Sequence, residues 1–368
     1  MRIKSVIAHI ARTLLAVTFI FSGIVKAIDP LGTVYKIEDY LKAFGGFFTD
    51  FMPLATAAAF CLIAFEFVLG VCMLLNIRTQ WTAWLSLLFY CVMTPLTLYI
   101  ALTNPVSDCG CFGDALVLTN WQTFWKNIVL LSLVIILLLT RRAVWPLWAP
   151  WMEAIIAMCS LIAVVGFMAW TLRHLPLVDF RPYKIGNNIP ELMEYPEDAE
   201  PDEYAISFIY EKDGVQQTFT LDNYPKNDST WTFVDQQSVL VKKGYEPPIH
   251  DFMLMTIDFD DLTYDLLEAE QPVIFVVMYD LEKADYKQFA KVKRLYSRCQ
   301  DDDASFYILT GSGTEQIEQL AMDLDMPEDV FLTCDPVTLK TIVRANPGVF
   351  VVQEGNIIDK YNIRNKQL

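Results

Sequence analysis

The first half of the chain consists of long apolar stretches, whereas the second half alternates apolar and polar positions over short distances. A bilayer core about 30 Å thick needs about 20 apolar residues per helix. Five stretches meet this need, at residues 6–28, 54–77, 81–102, 124–140 and 148–172. Apolar residues at helical spacing between Tyr35 and Phe44 predict a further short helix between the first two spans.

The second half predicts strands, first alone and then mixed with helices. Alternation at 204–210, 217–221 and 230–233 indicates antiparallel strands, with a hairpin turn at Lys212-Asp213-Gly214. An acidic, proline-containing linker precedes them at 191–203. Further strands are expected at 272–279, 305–310, 349–352 and 357–361, helices at 283–299 and 314–324, and the start of a hairpin at 249–254.

These patterns predict an α-helical transmembrane bundle of four helices plus a fifth, followed by an α/β domain with a β-rich insertion. The expected division is a four-helix membrane domain at 1–142, a fifth transmembrane helix at 143–176, an acidic and β-rich segment at 177–247 and the α/β domain at 248–368.

Charge supports this division. Residues 1–176 carry 11 basic and 8 acidic side chains, a net charge of +3, whereas the rest of the chain carries 17 and 36, a net charge of −19. The whole chain has a net charge of −16. Such a distribution excludes a single soluble domain, a disordered protein and a basic nucleic-acid binder. The partner expected for the first half is therefore a lipid bilayer and not nucleic acid.

Basic residues near the predicted spans indicate the orientation, because Lys and Arg accumulate on the cytoplasmic side. They lie before or inside the first span, between the second and third, and between the fourth and fifth: Arg2, Lys4, Arg12, Arg78, Arg141 and Arg142. We therefore expect a bacterial inner-membrane protein with a cytoplasmic N-terminus. The loops 29–53 and 103–123 and everything after residue 172 would be periplasmic.

The most distinctive local motif is Cys109-Gly110-Cys111 in the second of these loops. Two cysteines this close can form a disulfide only in a tight ring, and strained disulfides favour exchange over structural stapling. A structural turn is the alternative. A metal site is disfavoured because the three histidines lie elsewhere in the sequence. The charges of the flanking Asp108 and Asp114 oppose thiolate formation, whereas the pairing of the two sulfurs favours it, so the sequence does not decide which thiol is reactive.

Glu66 is the acid placed deepest in a predicted span, and an ionisable group there is costly unless it is paired or functional. Lys26 and Ser22 of the first span are its candidate partners. Either a structural bond between helices or a ligand or proton role would explain the group. Four further cysteines inside the spans are expected to pack as small hydrophobes, although a redox relay from the loop would need one or two of them: Cys61, Cys72, Cys91 and Cys159.

Three motifs together resemble the DoxX/MauE family over about residues 5–142: the run from Phe21 to Pro30, Glu66 with Gly70, and Cys109-Gly110-Cys111-Phe112-Gly113. MauE-type members are linked to maturation of methylamine dehydrogenase, and DoxX-type members to quinone-coupled sulfur oxidation. The layout is also similar to that of four-helix membrane thiol oxidoreductases that reduce quinone. The resemblance implies Cys109 and Cys111 as the redox pair and a quinone as the cofactor to consider. The helices lack a Cys-x-x-Cys pair, which departs from the quinone-reducing enzymes.

The order of elements at 248–362 resembles the thioredoxin-like fold. Asn346-Pro347-Gly348 matches the position of that family's cis-proline. The place of its Cys-x-x-Cys reads Asp280-Leu281-Glu282-Lys283, so the catalytic cysteines do not carry over. Cys299 and Cys334 lie at other elements, where buried hydrophobes, a structural pair and redox partners of the loop are the alternatives.

The leading hypothesis is a membrane thiol–disulfide redox or maturation factor with oxidoreductase chemistry at Cys109 and Cys111. A periplasmic protein would be its partner, and Glu66, Lys26 and Ser22 would line a cofactor site. One alternative is a non-catalytic, membrane-anchored protein that binds a partner and holds a fixed loop disulfide. Another is a quinone-binding subunit of a respiratory complex.

Overall fold

The computed structural model of the protein describes residues 2–106, 108–141, 147–201, 203–226, 228, 230–242 and 244–366. Arg142 and the domain boundary expected after it lie outside the described residues. Within the described part, five helices are long and apolar enough to cross a membrane. They are α1 (Arg2–Ile28), α3 (Ala55–Leu74), α4 (Thr79–Thr103), α5 (Asn120–Thr140) and α6 (Pro150–His174). The five predicted spans are therefore confirmed, with their ends shifted by a few residues.

A shorter helix, α2 (Pro30–Phe44), follows α1 directly. It begins before the predicted Tyr35 because Asp29 caps it, accepting a hydrogen bond from the Gly32 amide at 3.0 Å, and because Pro30 suits a first helical turn. A 3-10 helix over Gly46–Leu54 then leads into α3.

The bundle is built on the contact between α1 and α3. Buried Leu15 and Phe19 of α1 share a core with Met73 of α3 and Tyr90 of α4. At the far end, Arg12 donates hydrogen bonds to the carbonyls of Met73 and Leu74, at 2.7 and 3.0 Å. Arg12 thus caps the C-terminal end of α3, where the last carbonyls of a helix lack partners.

The loop that contains the two close cysteines joins α4 to α5. Its end is fixed by a capping box, in which Thr119 and Gln122 exchange hydrogen bonds at the start of α5. The Asn120 amide also donates to the Asn104 side chain at 3.1 Å and to the Val106 carbonyl at 3.0 Å. These contacts hold the two ends of the loop together.

A small antiparallel sheet follows α6 and a short helix α7 (Ile189–Met193). Its strands are β1 (Glu203–Lys212), β2 (Val215–Thr220) and β3 (Thr232–Lys242), in the order β2-β1-β3. The predicted turn at Asp213-Gly214 is confirmed, since Lys212 pairs with Val215 across it.

The last part of the chain forms a five-stranded sheet in the order β6-β5-β4-β7-β8. The strands are β4 (Val273–Val277), β5 (Ser305–Thr310), β6 (Phe331–Thr333), β7 (Gly348–Gln353) and β8 (Asn356–Asn362). The helices around it are α8 (Thr263–Leu267), α9 (Phe289–Asp301), α10 (Thr314–Leu324) and α11 (Pro336–Ile342). Strands β4, β5 and β6 are parallel, β7 runs antiparallel beside β4, and β8 runs antiparallel beside β7. This is a thioredoxin-like arrangement, and the Asn346–Pro347 bond is cis as predicted.

Two local predictions in this domain were wrong. No strand forms at 249–254, because the Leu254 amide bonds to the Thr263 hydroxyl at 2.8 Å and Met255 makes only isolated bridges, to Asp261 and Thr333. The helix expected from residue 283 begins at Phe289, because Asp285 caps a 3-10 turn that precedes it.

The thioredoxin-like domain rests on the membrane bundle through α2. Arg344 is buried and its Nε donates to Asp29 at 2.8 Å. The hydroxyls of Tyr35 and Tyr279 lie 3.2 Å apart, and the Asn365 amide donates to the Arg173 carbonyl at the end of α6 at 2.6 Å. The domain is thus joined to the bundle by polar contacts as well as by the chain.

Candidate functional site

A cavity of about 390 Å³ lies inside the bundle beneath α2 and the cysteine loop. Its wall includes Ser22 and Lys26 of α1, Glu66 of α3, and Cys109 and Cys111 of the loop. The structure therefore brings all five of the predicted site residues to one cavity.

The two loop cysteines lie side by side in the wall of the cavity. Their sulfur atoms are 2.8 Å apart, so a disulfide of about 2.05 Å needs only a small movement. Gly110 between them has a φ of +64°, and a Cβ there would come within 2.8 Å of the Lys36 side chain. Tyr40 holds the loop in place by donating to the Cys109 carbonyl at 2.8 Å.

The second group in the cavity is a buried ion pair with a hydroxyl. The Lys26 ammonium donates to both carboxylate oxygens of Glu66 at 2.8 Å and to the Ser22 hydroxyl at 3.1 Å. The pairing expected from the sequence is therefore present, and it satisfies all three protons of the ammonium.

Ser22 connects this group to the cysteine loop. Its hydroxyl lies 2.7 Å from Glu66 Oε2 and 2.8 Å from the Cys111 carbonyl oxygen, so its one proton can be donated to either. Ser22 thereby links the ion pair of Lys26 and Glu66 to the backbone of the cysteine loop.

The electrostatic surroundings of the two thiols differ. The pKa of Cys111 is lowered to about 6, because the hydrogen bond with Cys109 and the ammonium groups of Lys126 and Lys26 together outweigh the opposing effect of burial. The pKa of Cys109 is raised, because its thiol donates to Cys111 and is buried. The shared proton therefore stays on Cys109.

Sequence reasoning missed three residues around the dithiol: Lys126 of α5, Tyr40 of α2 and Arg344 of the thioredoxin-like domain. Lys126 lines the cavity, and its Nζ lies 4.4 Å from the centroid of the Phe112 ring. A cation near the start of a predicted span was a usable signal for Lys126. Arg344 is 315 residues from Asp29 along the chain and gives no local signal.

The other cysteines do not reach the dithiol cavity. Cys61, Cys91 and Cys159 lie exposed on the outer faces of their helices and Cys72 is buried, but none of the four lines the cavity. This placement favours the interpretation as small hydrophobes. A relay through any of them would require movement.

Cys299 and Cys334 are both buried in the thioredoxin-like domain, and burial raises their pKa values to about 11 and about 12. They belong to different core clusters, so they do not form a structural pair. We therefore interpret Cys299 and Cys334 as buried hydrophobic residues of the core.

The place where a thioredoxin-like domain carries its dithiol holds an ion pair. The Lys283 ammonium donates to Asp280 at 2.7 Å, and the Asn346 amide beside the cis-proline donates to the Asp280 carbonyl at 2.7 Å. The described residues contain no group of three His, Cys, Asp or Glu side chains suited to a metal ion.

Comparisons with known proteins give matches to separate parts of the chain. A family model described as methylamine utilisation protein MauE matches residues 4–140, and a model of a domain of unknown function matches residues 204–243. The comparison with curated proteins gives no match. Among solved structures, BsSco, a member of the Sco family of cytochrome c oxidase assembly proteins, is 10% identical with a TM-score of 0.27. The match covers 32% of this chain and 84% of that one. The membrane part of the chain is thus similar to MauE.

Proposed function

We propose that this chain is a membrane thiol–disulfide redox or maturation factor whose exchange site is Cys109 and Cys111. The observation that carries the proposal is the pair of sulfurs 2.8 Å apart in the wall of a cavity inside a MauE-like bundle. Thiol–disulfide exchange requires a thiolate that attacks the partner disulfide and a second thiol that then forms a disulfide with the first cysteine. The different surroundings of the two cysteines suit these two roles.

A quinone is the cofactor that best fits the cavity in this proposal. The residues present suit such a group, because a largely apolar wall would hold its ring, and Ser22, Lys26 and Glu66 would form the polar floor. A bound quinone would supply a two-electron acceptor. Lys26 and Glu66 already satisfy each other, so their role would be to keep a fixed polar surface beside the dithiol.

The proposed location is the inner membrane of a bacterium, with the N-terminus in the cytoplasm and the cysteine loop and thioredoxin-like domain in the periplasm. The described basic residues support it, because Arg12 contacts the end of α3 and Arg78 pairs with Glu153 in the first turn of α6 at 3.1 Å. These contacts join helix ends opposite the cysteine loop, as the positive-inside rule requires.

The proposed division into domains keeps the boundaries expected from the sequence, at 142, 176 and 247. The family matches at 4–140 and 204–243 fall within the first and third parts and support them. In this division the membrane part carries the dithiol, and the thioredoxin-like part contributes binding contacts.

Trapping of thiols in intact cells tests the proposed function. A maleimide is added to cells with wild-type protein, Cys109→Ser, Cys111→Ser or the double variant, with and without reductant. We expect the wild-type pair to change redox state, and one single variant to accumulate a mixed disulfide with a periplasmic protein.

A pair that stays oxidised under every condition, with a double variant that behaves like wild type, would remove the redox function. The second candidate function would then apply, in which the chain binds a partner without catalysis. The ion pair of Asp280 and Lys283 at the place of the usual dithiol favours that candidate.

A further inference from the structure

The charges around the dithiol distinguish its two cysteines. Both acids that flank the loop are paired with cations: Asp108 with Lys36 at 2.9 Å, and Asp114 with Arg344 at 3.6 Å. Lys36 therefore compensates the charge of Asp108, and Arg344, which also pairs with Asp29, compensates part of the charge of Asp114. These pairs weaken the opposition of the two acids to a thiolate.

The remaining charged and titratable groups that face the loop come from every element packed around it. They are Lys26 of α1, Asp29 before α2, Tyr40 of α2, Glu66 of α3, Tyr90 of α4, Lys126 of α5 and Arg181 after α6. Asp29 is paired with Arg344 at 2.8 Å. Lys26 is paired with Glu66, and Arg181 is paired with Asp179 at 2.7 Å.

Lys126 differs from the other cations. No carboxylate lies within ion-pair distance of it in the part of the chain that the structure describes. It is partly buried, and its ammonium lies above the Phe112 ring, next to Cys111 in the sequence. Lys126 and Cys111 line the same cavity, and the positive charge of Lys126 favours the thiolate of Cys111. A cation without a carboxylate partner in such a place stabilises a nearby anion, and the Cys111 sulfur is the anion the site can supply.

We infer that Cys111 is the nucleophilic thiolate of the loop, that Lys126 stabilises its charge, and that Cys109 is the resolving thiol. The inference rests on the proposed function. Cys109 suits the second role because its sulfur lies 2.8 Å from that of Cys111 and its carbonyl is fixed by Tyr40.

In the direction that reduces a partner, the Cys111 thiolate attacks one sulfur of a partner disulfide. The partner's S–S bond breaks, its other sulfur leaves as a thiolate, and a mixed disulfide forms. Cys109 passes its proton to that thiolate and attacks the Cys111 sulfur. The second partner sulfur leaves and takes a proton from solvent, which replaces the proton that Cys111 lost. Two electrons have then moved from the loop to the partner.

Alkylation of the purified, reduced, full-length protein in detergent tests the assignment. The labelling rate of Cys111 by iodoacetamide is measured by mass spectrometry in a Cys109→Ser background between about pH 5 and pH 9. We expect Lys126→Met to move the midpoint to higher pH and to slow labelling near neutral pH by about tenfold, the effect of one pKa unit. Lys126→Arg should keep most of the rate because it keeps the charge.

Two controls separate this charge effect from a general disturbance. Lys42→Met removes an exposed cation of α2 that does not line the cavity and should leave the profile unchanged. In a Cys111→Ser background, Cys109 should label more slowly than Cys111 does and should respond little to Lys126→Met. Faster labelling of Cys109, an unchanged profile in Lys126→Met, or equal losses in the Met and Arg variants would overturn the inference.

The alkylation experiment needs no partner protein. Its outcome can therefore be separated from that of the thiol-trapping experiment, which tests the proposed function. If a mixed disulfide forms in cells but Lys126→Met leaves the labelling profile of Cys111 unchanged, the proposed function would stand and the assignment of roles to Cys111 and Lys126 would be wrong. A shifted profile without any exchange in cells would keep the assignment of Cys111 and Lys126 as an electrostatic pair and remove the exchange.

Discussion

At the scale of single residues, the buried pair of Lys26 and Glu66 dominates the interior of the bundle. Both side chains are at least 94% buried, and the ammonium contacts both carboxylate oxygens. Removal of one partner from such a pair leaves an uncompensated charge, which costs about 3–5 kcal/mol, whereas replacement of both by apolar groups is often tolerated.

We therefore expect Lys26→Met to lower the free energy of unfolding by about 3 kcal/mol or more, and the double variant Lys26→Met/Glu66→Leu to recover much of the loss. Thermal unfolding in detergent measures both. Lys36→Met is the matched control, because its pair with Asp108 is partly exposed and should change stability by less than about 1 kcal/mol. An equal loss in the single and double variants would contradict the explanation by charge.

Some residues of the site could be predicted from the sequence because they lie in an unusual local context, and others could not. Glu66, Lys26 and Ser22 were found because ionisable groups inside an apolar span are costly and need partners. Lys126 obeys the same rule but lies in the first turns of α5, where a lysine can also reach the membrane surface. Only the three-dimensional packing shows that it turns toward Cys111.

At the scale of elements, the contact of α1 with α3 positions Glu66 against Lys26. The two helices approach closely at two glycines. A Cβ on Gly23 would lie 2.8 Å from the Phe67 amide nitrogen, and one on Gly70 would lie 2.7 Å from the Ile20 amide nitrogen. The atoms that such a methyl group would meet belong to the backbone of the facing helix and cannot rotate away. The two helices would therefore have to separate to admit it.

Gly70→Ala should therefore destabilise the protein by about 1–3 kcal/mol, the usual cost of overpacking. Gly166→Ala in α6 is the matched control, since nothing lies within 4 Å of the added methyl group. Alanine has the higher helix propensity, so that variant should be neutral or slightly more stable. The melting temperatures of the two variants give the comparison, and a similar loss in both would argue against the close helix contact.

Elements with strong local patterns were the ones predicted well. The five spans and the strands β4, β5, β7 and β8 follow from apolar runs of suitable length. The start of α2 was missed, although Asp29-Pro30 is a helix-start signal. The absence of a strand at 249–254 was missed, because the Leu254 amide bonds to the hydroxyl of Thr263, a contact that the alternation of apolar residues does not reveal.

At the scale of the whole molecule, the thioredoxin-like domain uses the face around Tyr279 and Pro347 to contact its own membrane bundle. Tyr279 meets Tyr35 of α2, and the Lys340 ammonium lies 4.9 Å from the centre of the Tyr35 ring. The paired cysteines and the thioredoxin-like fold thus occupy different parts of one chain. The domain lacks its dithiol but lies beside the dithiol of the loop.

Arg344 is the residue that joins these two parts most directly. It is 8% exposed and contacts the cap of α2 through Asp29 and the cysteine loop through Asp114. Burial opposes its charge, but the two carboxylates outweigh burial and raise its pKa. The position of the domain is therefore coupled to the loop.

Arg344→Met should loosen the domain from the bundle, because Asp29 would keep its cap of α2 but would lose its charged partner. Hydrogen–deuterium exchange of the full-length protein should then be faster in the first turns of α2 and at 336–347, with α5 unchanged. Arg364→Met, which breaks a more exposed pair with Asp285 inside the domain, is the control and should leave α2 unaffected. If both variants left exchange in α2 as in the wild type, the contact through Arg344 would not be what holds the domain on the bundle.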